Sequence, residues 1–228
     1  MIMIGALVLA AGSGKRMGLP TPKQFLTLQG KPLYTYSVNA LLPMVSVVVV
    51  VTQKERIAEV EKTFSDSRYR GRVLVCEGGE ERYDSAYAGL RFLQQHGDYE
   101  YVLIHDAARC NVKADTLFNV IRDMKTYGAA VAAVPEKNTV KQADPEGFVE
   151  KTLDRSVLWE IQTPQGFLMT HILEGYEAFY RSPEEGITDD ASILEKYTDY
   201  PVRLSMGSYG NIKVTTQEDI ALLTNGRI

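Results

Sequence analysis

A mostly parallel, twisted α/β sheet flanked by helices, with a β-hairpin protruding from it, is the fold class that this sequence predicts. Three observations predict it. Short β-rich apolar runs recur along the chain, segments with apolar residues at helical spacing lie between them, and the rhythm breaks after Pro135 into polar, alternating pieces.

The apolar runs are "GALVLA" (5–10), "VSVVVVVT" (45–52), "RVLVCEG" (72–78), "YVLIHD" (101–106) and "AAVAAVP" (129–135). Each is short and bounded by polar or turn residues, as strands buried on both faces are. Between them "LYTYSVNALL" (33–42), "KERIAEVEKTF" (54–64), "RYDSAYAGLRFLQQH" (82–96) and "ADTLFNVIRDMKTYG" (114–128) place apolar residues at helical spacing. The segment 136–156 carries two polar, alternating pieces around the turn "ADPEG", which predicts a protruding hairpin. The chain returns through the helical "THILEGYEAFY" and "TDDASILEKY" to two predicted strands, "PVRLSMGS" (201–208) and "NIKVT" (211–215). A last helix starts in "TTQEDIALL", with Thr216 as N-cap and Glu218 and Asp219 in the first turn. No internal repeat or low-complexity linker interrupts the chain, so 1–228 reads as one domain with the arm 136–156 inside it.

With 228 residues, 45% of them hydrophobic, the chain can bury a substantial core. Its 25 Lys and Arg against 29 Asp and Glu give a net charge of −4, so nothing overall favours nucleic acid or an anionic membrane as partner. Any anion site must be local. Cys76 and Cys110 have no paired Cys or His spacing around them, which argues against a zinc site or a disulfide framework and for a reducing cytoplasm. The run from Met1 to Ala11 lacks a basic n-region and reads as a core strand, not as a signal peptide. No apolar stretch approaches the roughly 20 residues that cross a bilayer.

In open α/β sheets the ligand crevice lies beyond the carboxyl ends of the strands. That rule selects the turn after the first strand, "GGEERYDS" (78–85) after the third and "HDAARC" (105–110) after the fourth. The first turn, "LVLAAGSGKRMG" (7–18), is not a P-loop, because Leu9 stands where the first glycine is required and Arg16 follows Gly14-Lys15. Nor is it a dinucleotide fingerprint, because Met17 occupies the third glycine position. What remains is glycine backbone that lets N–H groups approach a ligand, with Lys15, Arg16 and the nearby Lys23 suited to an anion. At roughly 4 Å and an effective dielectric near 20, each such charge pair is worth about 4 kcal/mol, enough to grip a polyphosphate. A solvated strand-to-helix turn is the alternative.

Asp106 and Arg109 in "HDAAR" suit a metal-bound phosphate or a polar substrate, or else form a structural pair closing the loop. His105 reads as a satisfied structural histidine. Cys110 lacks the His and Asn/Asp partners of a nucleophile.

Taken together, "LAAGSGKRMG" with "PKQF", "GGEERYDS", "HDAAR", "KNTVK", "LDRSVLW" with "IQTPQGF", "TDDAS" and "NIKVTT" resemble the 2-C-methyl-D-erythritol 4-phosphate cytidylyltransferases of non-mevalonate isoprenoid biosynthesis. These belong to the nucleotidyltransferase superfamily, with its GT-A-like, Rossmann-type fold. The resemblance spans nearly the whole chain, and the arm is similar to the methylerythritol branch more than to the ribitol-phosphate branch, which is the alternative. A non-catalytic nucleotide-binding module is a further one, in which Arg16, Lys23, Asp106 and Lys213 would all be incidental.

The resemblance implies a site. Gly12, Gly14, Lys15, Arg16 and Lys23 would grip the CTP triphosphate, with Arg16 and Lys23 catalytic, and Ala10, Ala11 and Ser13 would also bind the nucleotide. Gly79, Glu80 and Ser85 would read cytosine and ribose, and Asp106, Arg109, Thr163 and Lys213 would face the sugar-alcohol phosphate. The arm would interlock two subunits as a homodimer, so that Thr139 and Arg155 enter the neighbour's site. Mg²⁺ would be held mainly by the CTP phosphates, and no residue is named as its ligand. Two departures bear on substrate geometry: Cys110-Asn111 stands where Pro-Phe is usual, and Glu80 where Asp is common. The missing base fits this chemistry. A phosphate monoester, with a second pKa near 6, is mostly ionised at pH 7 and attacks without one. Cations are then needed to offset repulsion between anions and charge on the leaving pyrophosphate.

Overall fold

A computed structural model describes residues 3–12 and 22–224. The strands are β1 (Ile4–Leu9), β2 (Thr27–Leu28), β3 (Lys31–Pro32), β4 (Val47–Thr52), β5 (Val73–Glu77), β6 (Tyr101–Asp106), β7 (Ala129–Pro135), β8 (Lys141–Ala143), β9 (Val149–Thr152), β10 (Trp159–Leu168) and β11 (Arg203–Met206). The helices are α1 (Leu33–Leu41), α2 (Ile57–Thr63), α3 (Arg82–His96), α4 (Ala114–Tyr127), α5 (Met169–Arg181), α6 (Asp190–Tyr197) and α7 (Gln217–Thr224).

Among the described residues, seven strands form the main sheet in the order β11-β7-β10-β6-β1-β4-β5. Only β10 runs antiparallel to its neighbours, so the predicted class, a mostly parallel sheet between helices, holds. Alternation along the strands divides the core. Ala6, Val8, Val48 and Val50 pack with Tyr34, Val38 and Val60 of α1 and α2 and with Leu117 and Met124 of α4. Leu7, Val49, Val51 and Ile104 pack on the other face with Leu90 and Leu93 of α3, Tyr176 of α5 and Leu194 of α6. This double burial is why β4 is an unbroken valine run.

Three local expectations meet the structure differently. The hairpin forms: β8 and β9 pair antiparallel, and every residue of both strands is exposed. At its turn the backbone N–H of Phe148 donates to the Asp144 carboxylate, and Gly147 adopts φ +91°. The predicted strand 211–215 is absent. Asn211 is instead buried as a cross-link, donating through Nδ2 to the Thr163 carbonyl and to Gln162 Oε1, while the N–H of Val214 donates to Ala108 O. A segment pinned through one side chain and one backbone bond has no ladder to join. Third, the central strand β10 was not foreseen, because "WEIQTPQGFL" mixes buried glutamines and a proline and is broken by a bulge between Ile161 and Gln165. The last helix starts as expected, with Thr216 Oγ1 accepting from the N–H of Asp219.

Candidate active site

The sheet register brings the selected loops together. Leu9 lies directly opposite Asp106 across the β1–β6 pair, and the N–H of Ala107 donates to Leu9 O. On the other side of β1 the N–H of Ala10 donates to Val51 O. Gly78, at the end of β5, packs so closely that a Cβ there would lie 2.6 Å from the Ala11 Cβ and 2.8 Å from Ser85 Oγ. Only glycine allows the loop after β5 to touch the turn after β1. Gln24 fastens the same turn, its amide donating to the carbonyls of Ala10 and Gly12 at 2.6 and 2.7 Å.

Asp106 is the hub. It is 7% exposed, yet its Oδ1 accepts from Arg82 Nε at 3.2 Å and its Oδ2 from Lys213 Nζ at 2.7 Å, with Arg109 Nε at 4.0 Å. Burial alone would raise its pKa, but Arg82, then Lys213 and Arg109, hold the carboxyl well below the usual carboxylate range. Arg82 is shared, since its Nη2 donates at 2.7 Å to Asp190, which is fully buried and also accepts from the Tyr176 hydroxyl. Burial opposes the charge of Arg82, and the two aspartates more than offset it, raising its pKa well above the ordinary value. Arg109 donates through Nη1 to Asn211 O, while its buried Nε has no hydrogen-bond partner among the described residues. Thr163 Oγ1 accepts from the N–H of Asp106 at 3.0 Å.

These groups line a crevice of about 350 Å³ with Gln162, Gln165, Asp189 and Ser192 from β10 and α6. A cleft of about 420 Å³ at the β5 edge is larger but is lined mostly by apolar side chains, including Phe64, Val73 and Phe92, and gathers no comparable charge. Chemistry decides between them in favour of the first.

The structure thus brings together Ala10, Ala11, Gly12, Gly79, Ser85, Asp106, Arg109, Thr163 and Lys213. Glu80 is exposed at the rim. Ser85 is buried, its Oγ near the carbonyls of Gly79 and Glu81, and Gly79 has a packing reason of its own, because a Cβ would meet that of Asp84 at 2.3 Å. Lys23 opens the short 3-10 turn Lys23–Phe25 that carries Gln24. Ser13, Gly14, Lys15 and Arg16 lie outside the described residues. Thr139 and Arg155 are not drawn in: both are exposed on the arm, where Arg155 donates to Lys137 O. Sequence reasoning missed Arg82, Asp190 and Gln24, although each sits inside a quoted motif, because a polar group that serves other buried groups of the chain has no pattern of its own.

A protein-held metal does not suit the described residues. No group of three His, Cys, Asp or Glu side chains gathers among them, and both Asp106 oxygens already face cations.

Known proteins share the sequence and the architecture. The family model for IspD, 2-C-methyl-D-erythritol 4-phosphate cytidylyltransferase, matches residues 4–224. The chain belongs to this cytidylyltransferase family. The relative of that name from Lachnospira eligens is 40% identical over 220 residues, spanning 95% of this chain and 96% of its own. The one from Geobacillus kaustophilus is 42% identical over 218 residues, spanning 94% and 92%. The crystal structure of 4-diphosphocytidyl-2C-methyl-D-erythritol synthase from Anaerococcus prevotii superposes with a TM-score of 0.84 at 27% identity, over 99% of this chain and 98% of that one. Membership of the cytidylyltransferase family makes the chain a nucleotidyltransferase, a transferase of isoprenoid biosynthesis.

Proposed function

We propose that the chain transfers CMP from CTP to 2-C-methyl-D-erythritol 4-phosphate, giving 4-diphosphocytidyl-2-C-methyl-D-erythritol and pyrophosphate. An oxygen of the acceptor phosphate forms a bond to the α-phosphorus of CTP. The bond from that phosphorus to the bridging oxygen breaks, and pyrophosphate leaves with the electron pair. Gly12, Ser13, Gly14 and Lys15 take the triphosphate, Arg16 and Lys23 stabilise charge in the transition state, and Gly79, Glu80 and Ser85 read the base and ribose. Asp106, Arg109, Thr163 and Lys213 face the acceptor. Magnesium, bound as part of the nucleotide, neutralises phosphate charge.

The single observation that carries this reading is the cation cluster at the strand ends. Arg82 stays tied to two aspartates, so Lys213, whose side chain is 39% exposed, and Arg109, with an unsatisfied buried Nε, are the cations placed to meet an entering phosphate. The names of the relatives support the acceptor. We further propose that the active unit is a cytoplasmic homodimer in which each arm carries Thr139 and Arg155 to the neighbouring crevice. The free thiols of Cys76 and Cys110 agree with a reducing compartment, and no described helix is long and apolar enough to cross a membrane.

A pyrophosphate-release assay crossing CTP, UTP, ATP and GTP with methylerythritol phosphate and ribitol phosphate tests the reading. Release confined to CTP with methylerythritol phosphate is expected. Release with ribitol phosphate and not with methylerythritol phosphate would overturn the acceptor, and no release with any pair would overturn the activity.

A further inference from the structure

The transfer chemistry leaves the buried imidazole of His105 unused. His105 is completely buried at the end of β6, between two residues of the crevice. Its Nε2 lies 3.1 Å from Arg109 O and its Nδ1 lies 2.9 Å from Thr163 Oγ1. The partners fix the tautomer. A backbone carbonyl only accepts, so Nε2 carries the hydrogen and donates to Arg109 O. The Thr163 oxygen already accepts from the N–H of Asp106, and its single hydrogen has the bare Nδ1 as acceptor. The result is a relay from Asp106 N–H to Thr163 hydroxyl to His105 ring to Arg109 carbonyl. It clamps both ends of the turn 106–109, whose own backbone bond runs from Arg109 N–H to Asp106 O.

We propose that His105 is a positioning residue: held as the neutral Nε2–H tautomer, it fixes the Thr163 hydroxyl and the Arg109 backbone so that Asp106 and Arg109 face the acceptor phosphate in one geometry. This rests on the reading that the acceptor binds at Asp106, Arg109 and Lys213. Burial pushes the ring's pKa down to about 4, with the Arg109 charge acting the same way and Asp106 opposing it. The imidazole therefore neither accepts a proton from substrate nor gives one at neutral pH. Thr163 changes meaning as well. Its one hydroxyl hydrogen is committed to His105, so it acts on the acceptor through Asp106 and does not donate to phosphate.

The test uses the full chain, by two-bond ¹H–¹⁵N spectra of the histidine rings and by kinetics of three variants. The expected spectrum shows His105 as the Nε2–H tautomer, unprotonated from pH 8 to about 5. His105→Phe keeps a ring and loses both bonds, and Thr163→Val loses the hydroxyl. Each is expected to raise the KM for methylerythritol phosphate by about tenfold or more, leaving the KM for CTP within about twofold, because unpaired buried polar groups let the turn relax. Thr163→Ser restores the hydroxyl and should stay near wild type. The double variant His105→Phe/Thr163→Val should be no more than about twofold worse than the poorer single variant, as expected for residues acting through one relay.

An Nδ1–H ring or a cation at neutral pH overturns the proposal, as do equal changes in both KM values or effects that multiply in the double variant. Calorimetric CTP binding reports whether each variant folds. If His105→Phe does not, the spectrum and the Thr163 Ser/Val pair decide. A wild-type chain without transfer activity removes the proposed function, whereas the wrong tautomer in an active enzyme overturns this inference alone.

Discussion

Asp106 and Arg155 are both assigned to substrate, and they live in opposite surroundings. Asp106 is almost completely buried, with Arg82, Arg109 and Lys213 drawn around it from different stretches of the chain, and its backbone N–H is taken by Thr163. Arg155 is exposed at the base of the arm, where among the described residues its guanidinium donates to Lys137 O within the same arm. Buried charges require their partners in place before any ligand arrives, so the ion cluster around Asp106 is assembled within its own chain. An exposed arginine has no such requirement. The arm also leaves Phe148 73% exposed, with Val157 just beyond it 71% exposed, and a two-stranded ribbon is marginal by itself. One region is preorganised by its fold, and the other gains a role only from a surface that meets it.

The comparison can be broken first at the catalytic cations. Lys23→Ala, and equally Arg16→Ala, is expected to lower turnover by about 10²-fold or more while the protein stays folded, the loss of one preorganised donor being about 2.7 to 4 kcal/mol. Near-normal turnover in either purified variant removes its catalytic role.

Next comes the scaffold under Asp106. Asp190→Ala leaves Arg82, which is about a quarter exposed, without its second carboxylate and Tyr176 without an acceptor. An unfolding free energy lowered by roughly 2 to 3 kcal/mol in denaturant titration is expected, below the roughly 3 to 5 of a fully buried pair because Arg82 keeps some solvent. A change below about 0.5 kcal/mol would mean that the Asp190 contacts with Arg82 and Tyr176 are not structural.

His105 sets a pH window. Its folded pKa of about 4 lies below the ordinary 6.5, so the unfolded chain binds the proton first as pH falls. Stability from this group is full above pH 6.5 and declines down to about 4, the reverse of a histidine with a raised pKa. His105→Phe should flatten the stability curve across that window, and equal slopes in both proteins would deny it.

Smaller still is nucleotide choice. With Gly79, Glu80 and Ser85 proposed to read the base, kcat/KM should favour CTP over UTP by at least about tenfold, since an unmatched buried polar partner costs about 1 to 3 kcal/mol. Equal efficiencies would remove that assignment. At the bottom, Glu150→Ala on the arm loses one exposed contact with Gln142 and should change stability by less than about 0.5 kcal/mol.

Legibility in the sequence followed burial chemistry. Strands buried on both faces, such as 47–52, announce themselves as apolar runs, and the strand-end rule then located three of the loops that meet at Leu9 and Asp106. β10 escaped because its buried positions are polar: Gln165 accepts from the N–H groups of Asp190 and Ala191 and donates to Asp189, which no hydropathy pattern records. The same limit hid Arg82 and misread 211–215, where Asn211 serves as a cross-link and not as a strand residue. Hydrophobic periodicity reports what is packed. It is silent on polar groups that are buried to hold one another.

The proposed division between a crevice preassembled in one chain and an arm that completes it from a neighbour is tested most directly by mixing Lys23→Ala with Arg155→Ala, each expected to be inactive alone, after mass spectrometry has confirmed subunit exchange. A heterodimer contains one crevice with an intact Lys23 visited by an arm with an intact Arg155, so at equal mixing roughly a quarter of all sites should be active. Recovery of activity towards that fraction is the predicted result. Complete exchange with no recovered activity, or a monomer with full activity at sedimentation-controlled concentration, would contradict it.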